Sequence, residues 1–335
     1  MKRVIIACLC LIAAAWAADP GYHVIKTYKI GGEGGWDYLT VDPSAHRLYI
    51  SRATHVIVMD TESGKQVGDI PDTPGVHGIA LAADLGRGFT SNGREGTVSI
   101  FDLTTLKTSS KVKVGDNPDA ILYDPASKHV FTFNGKSHDS TVIDAAKGTV
   151  LGTIKLDGKP EFGVSDYKGG IFVNIEDKSE IQSLDPEKMQ VKSTWPLAPC
   201  EGPSGLAMDR KNRRLFSGCD KLMAIVDADS GKVVSTQPIC DGVDATAFDA
   251  DRALAFASCH DGTMTILHQD GADKYSAAQT VPTQKGARTM ALDPETHLAY
   301  TVTAQFGPPP AATAENPHPR PAILPDSFVV LVVGK

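Results

Sequence analysis

The sequence has 335 residues, of which 41% are hydrophobic and 22% are charged, and its formal net charge is −7. An acidic chain lacks the electrostatic attraction that dominates nucleic-acid binding, so we expect no nucleic-acid partner. Beyond the N-terminal segment, no apolar run is long enough to cross a bilayer, so we expect no membrane span.

The first 17 residues predict a secretory signal peptide. Lys2 and Arg3 form a positive n-region, residues 4–15 form an apolar segment too short to span a bilayer, and residues 15–17 read Ala-Trp-Ala, a small-x-small cleavage site. Removing two of the 33 basic residues leaves 31 against 40 acidic ones, a mature net charge of −9. We expect an exported protein, periplasmic or extracellular.

The rest of the chain, residues 18–335, repeats at intervals of about forty residues. The seven copies begin at Gly35, Gly75, Asn117, Lys159, Cys200, Cys240 and Gly286. Each of the first six contains four short runs rich in Val, Ile, Phe, Tyr and Thr, which predict four strands, a to d. Four-stranded units at this period predict a single all-β domain, a seven-bladed β-propeller.

Aspartates recur at the end of strand c in successive copies. They are Asp60, Asp102, Asp144, Asp185 and Asp227. Because Asp caps backbone amides in tight turns, this regular placement predicts turn residues rather than acid or metal groups.

The seventh copy has only one further strand after a proline-rich segment, residues 307–326. Residues 22–30 have strand character and no blade of their own, so we expect them to pair beside residues 328–333 and complete the last blade. This pairing would cover an otherwise exposed sheet edge. The proline-rich segment is either a lid over the functional face or an ordered surface loop.

Four cysteines remain after the signal peptide, and an even number in an exported protein favours disulfides. Cys200 and Cys219 open the fifth copy at the same spacing at which Cys240 and Cys259 open the sixth. In each pair the first cysteine enters a crossover and the second closes strand b. We therefore predict the bridges Cys200–Cys219 and Cys240–Cys259, with Cys219–Cys240 as the rival pairing.

Two stretches, LYISRATHVIVMDTESGKQVGDI and GFTSNGREGTVSIFDLTTLK, resemble the YVTN-type repeat. In that repeat an aromatic strand ending in a small residue or Asn leads to a Val-Ile-Asp strand. The chain from residue 18 onward is similar to the YncE-like seven-bladed propeller proteins. The resemblance implies the fold and an exported location, and it does not assign a reaction, because fold does not imply function.

Candidate site residues follow from aligning the copies, because the crossovers and the b–c loops meet at one face of a propeller. One crossover position, which we call the ring, reads Asp37, His77, Asp119, Glu161, Ser204, Asp244 and Arg288. The ends of strand b on the same face read Arg52, Asn92, Asn134, Asn174 and His260. Four carboxylates close together repel unless a cation joins them, and carboxylate and amide oxygens suit Ca²⁺.

These patterns leave two functional classes open. We expect a monomeric binding protein that takes a small molecule or a protein at the central channel through its crossover face, without catalysis. The runner-up is a metal-dependent, lactonase-like hydrolase that uses the acidic ring, and a redox propeller comes third because no haem-attachment motif is present. No cofactor is certain from the sequence, and a divalent cation such as Ca²⁺ in the channel is the candidate.

Overall fold

A computed structural model describes residues 21–311, 313, 319 and 321–335. These residues form seven four-stranded antiparallel sheets arranged as the blades of a β-propeller, which confirms the predicted fold. The predicted signal peptide lies outside the described residues.

Blades 1 to 6 take their strands from consecutive segments of the chain, from the innermost strand outward. Blade 7 combines three C-terminal strands with the first strand of the chain. The strands are β1 (His23–Lys29); in blade 1, β2 (Leu39–Asp42), β3 (Arg47–Arg52), β4 (His55–Asp60) and β5 (Gln66–Ile70); in blade 2, β6 (Val76–Ala82), β7 (Arg87–Asn92), β8 (Thr97–Asp102) and β9 (Thr108–Lys113); in blade 3, β10 (Pro118–Asp124), β11 (His129–Asn134), β12 (Asp139–Asp144) and β13 (Thr149–Lys155); in blade 4, β14 (Pro160–Ser165), β15 (Ile171–Ile175), β16 (Glu180–Asp185) and β17 (Gln190–Pro196); in blade 5, β18 (Leu206–Asp209), β19 (Arg214–Cys219), β20 (Leu222–Asp227) and β21 (Val233–Pro238); in blade 6, β22 (Val243–Asp249), β23 (Leu254–Cys259), β24 (Thr263–Gly271) and β25 (Lys274–Pro282); and in blade 7, β26 (Met290–Leu292), β27 (Ala299–Thr303) and β28 (Val329–Gly334).

Helical structure among the described residues is limited to two 3₁₀ turns, Ala83–Leu85 and Glu176–Lys178. Within the same residues, no helix has both the length and the apolar character needed to cross a membrane.

The innermost strands of neighbouring blades contact one another all the way around the molecule. The contacts run from β2 through β6, β10, β14, β18 and β22 to β26, and β26 contacts β2 again. This arrangement surrounds a central channel and brings the start of every innermost strand to one end of it. We call that end the crossover face and the opposite end, which carries the a–b and c–d turns, the turn face.

The hydrophobic core lies between adjacent blades. The second strand of a blade is covered by a neighbour on both faces, so β15 and β23 are buried at every position, whereas the outermost strand β9 is almost entirely exposed. At the junction of blades 7 and 1, Leu48 and Ile50 pack with Tyr300, Val302 and other apolar residues of blade 7. Each blade therefore depends on both of its neighbours for burial of apolar surface.

The N-terminal strand closes the ring, as predicted. β1 pairs antiparallel with β28 in a register that runs from His23 opposite Gly334 to Lys29 opposite Val329. Just before β1, the Tyr22 ring packs edge-on against Phe256 of blade 6, with ring centroids 5.5 Å apart. The outer edge of blade 7 is therefore supplied by the opposite end of the chain.

The recurrent aspartates cap c–d turns on the turn face, as predicted. Asp60 Oδ1 accepts the backbone N–H of Ser63 at 2.8 Å, and Asp102 Oδ1 accepts that of Thr105 at 2.7 Å. The Ser63 hydroxyl and N–H lower the pKa of Asp60, and the Thr105 N–H and hydroxyl lower that of Asp102, because these hydrogen bonds favour the ionised form.

Both predicted disulfides are present. Cys200 is joined to Cys219 and Cys240 to Cys259, with Cα–Cα distances of 5.7 and 5.8 Å. Each bridge ties the crossover entering a blade to the end of the second strand of that blade. The described part of the proline-rich segment is anchored at its base, where Phe306 bridges to Ile323.

The closure can be tested by comparing a chain that starts at residue 31 with a matched control that starts at residue 21. Loss of β1 leaves β28 as an open edge, so we expect the shorter chain to lose its cooperative thermal transition and to aggregate. Calorimetry and light scattering measure the two effects. Indistinguishable transitions in the two chains would show that β1 is dispensable for closure.

Candidate functional site

The ring residues lie together at the crossover face, because each precedes or begins the innermost strand of its blade. In blades 2, 3, 4 and 6, the pairing of the first two strands shifts register where the ring residue sits, between Val76 and Ile79 in blade 2, for example. Such β-bulges re-aim a side chain relative to the regular alternation of a strand. The bulges position His77, Asp119, Glu161 and Asp244.

Hydroxyl groups tie the ring backbone from blade to blade. Ser91 donates to the carbonyl of Asp119 at 2.5 Å, and Ser204 donates to the carbonyl of Asp244 at 3.1 Å. Ser258 donates in the same way to the carbonyl of Arg288. These bonds fix the relative positions of ring residues that belong to different blades.

Three ring residues from blades 1, 2 and 3 converge tightly. His77 Nδ1 lies 2.6 Å from Asp37 Oδ2 and 3.6 Å from Asp119 Oδ1. One nitrogen and two carboxylate oxygens of this group all lie within 4.8 Å of one another, and the three side chains are partly buried. We call Asp37, His77 and Asp119 the triad.

Gly93 supports the imidazole of the triad from behind. A Cβ at this position would lie 2.6 Å from His77 Nε2, which is closer than real Cβ contacts allow. The b–c loop of blade 2 therefore packs directly against the ring nitrogen that faces away from Asp37. The glycine lets the loop approach closely enough to hold the imidazole in place.

The pKa of His77 is raised. Burial favours the neutral imidazole, but the hydrogen bond to Asp37 and the charges of Asp119 and Asp37 outweigh it. In the absence of another cation, the proton on His77 therefore balances part of the negative charge of the triad.

Blade 4 places a lysine beside the triad. Lys159 Nζ forms a close ion pair with Glu176 and lies 3.3 Å from Glu161 Oε2, without forming a hydrogen bond to that oxygen. Burial opposes the charge on Lys159, but the pairing with Glu176 prevails and raises its pKa. Lys159 therefore interacts more strongly with Glu176 than with Glu161.

Burial raises the pKa of three ring carboxyls. The pKa rises to about 6 for Asp119, where Asp37 adds repulsion and His77 opposes it, and to about 6 for Asp244, where Arg288 opposes it. The pKa of Glu161 rises to about 8 through burial and the charge of Asp119, because the lysine compensates only in part. Lys159 Nζ is close enough to Glu161 for an ion pair, but it donates no hydrogen bond to Glu161 Oε2. The pKa of about 8 therefore means that Glu161 is protonated at neutral pH in the cation-free ring.

The floor of the site is aromatic, and sequence reasoning missed it. Tyr38 of blade 1 packs against Phe162 of blade 4 across the channel, with ring centroids 5.2 Å apart. This aromatic pair could have been found in the sequence from the size of the residue that follows each ring position. It is small in the other five blades, namely Gly78, Ala120, Gly205, Ala245 and Thr289. Two aromatic residues in place of small ones fill the channel beneath the ring.

Arg52 has a structural role, because its side chain holds the segment that precedes blade 1. Its guanidinium donates hydrogen bonds to the carbonyls of Gly31, Glu33 and Gly34 and stacks on the Phe328 ring at 3.9 Å. The side chain is 1% exposed, and burial lowers its pKa to about 10. We therefore leave Arg52 out of the proposed site.

Asn92 and Asn134 are fully buried within their blades. Asn92 donates to the Ser99 hydroxyl at 2.8 Å, and Asn134 donates to Asp139 at 2.7 Å and to the Thr141 hydroxyl at 3.1 Å. Their amides link the second strand of a blade to the third, so they too are left out of the proposed site.

His260 lies on the crossover face with an exposed side chain. Its backbone N–H donates to Gly242 at 2.8 Å, and its carbonyl accepts from Gly286 at 2.9 Å. The residue therefore links two successive crossovers at the rim of the face.

The turn face carries a cavity of about 480 Å³ among blades 3, 4 and 5. Its buried carboxylate, Asp166, accepts hydrogen bonds from the amides of Lys168 and Gly170 and pairs with Arg213 at 3.1 Å. Because this charge is already satisfied, the cavity offers less chemistry than the ring, where several buried carboxylates share few cations. The ring, and not this cavity, is therefore the functional candidate.

No protein-family model matches the sequence, and no curated protein matches it significantly. Solved structures show the fold. A chain of Kuenenia stuttgartiensis hydrazine synthase superposes with a TM-score of 0.72 at 17% identity, covering 80% of this chain and 92% of that one. A chain of the mitotic checkpoint complex superposes with a TM-score of 0.75 at 12% identity over 100% and 99% of the two chains. The WD40 repeats of RRP9 superpose with a TM-score of 0.74 at 10% identity over 91% and 96%.

The raised pKa of Glu161 predicts a measurable effect on stability. The folded protein holds this proton more tightly than the unfolded chain does, so the stability linked to Glu161 is present below its ordinary pKa of 4.5 and is lost as the pH rises towards 8. Glu161→Gln should therefore stabilise the cation-free protein by on the order of 4 kcal/mol at pH 8 and by almost nothing at pH 4.5.

Urea denaturation at the two pH values measures this difference. Glu187→Gln changes the same charge at an exposed position and serves as the control. A Glu161→Gln variant that behaved like the control at both pH values would mean that Glu161 is ionised and solvated in the folded protein.

Proposed function

We propose that the protein is an exported binding protein that holds a divalent cation, and with it a small ligand, at the channel mouth of its crossover face. The triad carries the proposal, because its three ligand atoms lie within 4.8 Å of one another and come from three different blades. A single ion can therefore bridge segments that are distant in sequence.

The donor set indicates which ions suit the site. Oxygen ligands alone favour Ca²⁺, which was the expectation from sequence. An imidazole nitrogen beside two carboxylates suits Mn²⁺ or Zn²⁺ better, since nitrogen ligands favour transition metals and zinc. Binding of such an ion displaces the proton that His77 shares with Asp37, so affinity should fall below neutral pH.

The charge balance of the ring also favours a cation. Two effects oppose ionisation of Asp119, Glu161 and Asp244. The larger is burial, and the smaller is repulsion from the other carboxylates nearby. A bound cation reverses the sign of this interaction, because it attracts every ionised carboxyl around it.

The broader assignment rests on the repeats and the cysteines. We propose that the chain is a YncE-like protein on the basis of its YVTN-type repeats. The two disulfides are typical of an oxidising environment and support export, together with the signal-like N-terminus. Propellers commonly use one end of the channel for ligands, which agrees with a binding role at the crossover face.

Cation binding can be measured by thermal shift with Ca²⁺, Mn²⁺ and Zn²⁺. An ion that binds only the folded ring should raise the melting temperature with concentration, with a stabilisation of about 2.7 kcal/mol at a hundred times Kd. The double variant Asp37→Asn with Asp119→Asn should abolish the rise. The matched control neutralises two carboxylates elsewhere on the crossover face, Asp220→Asn with Asp241→Asn, and should keep it.

A subtler variant, Gly93→Ala, displaces the imidazole of His77 without removing a ligand atom, and should weaken the cation by about tenfold. If none of the three ions shifts the melt of the wild type, or if the triad variant responds as the control does, the proposed cation site does not exist.

A metal-dependent hydrolase is the second candidate. Glu161 stands next to the triad, with a pKa of about 8 in the cation-free ring. A bound cation lowers that pKa, and the carboxyl can then act as a general acid or base. If the protein hydrolyses lactones, activity should follow the cation, and Glu161→Gln should lower kcat at least a hundredfold while leaving cation affinity within threefold. Hydrolysis that survives in the triad variant would arise elsewhere or from a contaminant.

A further inference from the structure

Arg288 brings an uncommitted guanidinium to the ring. Its backbone is fixed by the hydrogen bond from Ser258, but its side chain is 41% exposed and lies 3.6 Å from Asp244. Across the described residues, this long ion pair is its one charge contact, and its side-chain N–H groups make no hydrogen bond. An arginine with an anchored backbone and free donors is suited to an anionic oxygen, to which its guanidinium can donate charge-assisted hydrogen bonds.

A second uncommitted donor lies beneath the ring. The Tyr38 hydroxyl makes no hydrogen bond within the described part of the chain, although its ring is held in place by Phe162. The phenol O–H is therefore available to a ligand as a hydrogen-bond donor.

Both donors belong to blade 1, which contributes Asp37 to the triad, or to the blade beside it. Arg288 belongs to blade 7, which neighbours blade 1, and Asp37 and Tyr38 are consecutive residues of blade 1. The charges of Arg288 and Asp37 both act on the buried Asp244 carboxyl, so the two side chains share one electrostatic environment. A ligand that bridges the two therefore has to span adjacent blades of the ring.

An anion meets a net negative charge in the cation-free ring. The carboxylates of the triad, Asp244 and Glu176 outnumber the cations that face them, so an anionic ligand is repelled until a cation occupies the triad. With the cation present, one ligand oxygen can complete the coordination while the other is held by Arg288. Binding must then be ordered, with the cation first.

We propose that the ligand is a small organic carboxylate that bridges a triad-bound cation and the Arg288 guanidinium, with its hydrocarbon part on the Tyr38–Phe162 floor. This inference rests on the proposed cation site. A singly charged carboxylate fits better than a phosphate, because one guanidinium faces it and the neighbouring carboxyls repel additional charge. The aromatic floor offers apolar contact that inorganic anions cannot use.

The test is titration calorimetry of the full mature chain with acetate, lactate, succinate and benzoate, each with and without saturating Mn²⁺ or Zn²⁺, whichever binds. We expect at least one carboxylate to bind, with an affinity at least tenfold higher when the cation is present. Inorganic phosphate should bind at least tenfold more weakly than that carboxylate.

Substitutions separate the roles of the two donors. Arg288→Gln should weaken the carboxylate at least tenfold, Arg288→Lys should restore part of the loss, and Tyr38→Phe should weaken it three- to tenfold. Arg94→Gln removes an exposed arginine from the b–c loop of blade 2 on the same face and should have no effect. Cation affinity should be unchanged or tighter in Arg288→Gln, because a like charge has been removed.

The outcomes separate this inference from the proposed function. If the cation binds but no carboxylate does, or if Arg288→Gln binds the carboxylate as Arg94→Gln does, the bridging role is wrong and the cation site stands. Equal carboxylate affinity with and without the cation also overturns the ordered mechanism. If no cation binds, both proposals fall.

Discussion

Closure of the ring by β1 is the pairing on which the rest of the molecule depends. Every blade buries its apolar faces against two neighbours, so an open ring would leave blades 7 and 1 each with an unsatisfied face. The last blade is completed by the far end of the chain, so blades 7 and 1 reach their full burial only when β1 has paired with β28. The functional face inherits that constraint, since its residues are neighbours only across blade boundaries.

The ring concentrates charge on side chains that are partly buried. Each crossover delivers one polar side chain to the axis, and the blade-to-blade bonds from Ser91, Ser204 and Ser258 leave those side chains little freedom to separate. Carboxyls held close together in a partly buried place respond by taking up protons, which is what the raised pKa values of Asp119, Glu161 and Asp244 express.

The sequence predicted the fold well because the repeat is a property of the whole chain. Seven copies, the Asp-capped turns, the closing strand and the two disulfides all follow from spacing, and spacing survives weak similarity in individual motifs. The ring could also be predicted, because pseudo-symmetry maps one sequence position of each copy onto one place around the axis. The direction in which a side chain points within its blade could not be predicted. Asn92 and Asn134 end their strands at the right height, but their amides turn into the blade and bond to the third strand.

The β-bulges and the aromatic floor explain the remaining gap. In blade 2 a one-residue bulge turns His77 towards the channel, and a bulge in blade 4 does the same for Glu161. A single extra residue in a strand cannot be recognised from the amino-acid composition. Tyr38 and Phe162 did leave a mark, as large residues in a position that is otherwise small, but it becomes visible only once the ring position is aligned. Both disulfides lie in blades 5 and 6, away from the triad, where they tie the crossovers that precede Ser204 and Asp244. Covalent links thus hold the half of the ring that a cation would not bridge, whereas the triad is held by the Ser91 hydrogen bond to Asp119 and the packing of Gly93 against His77.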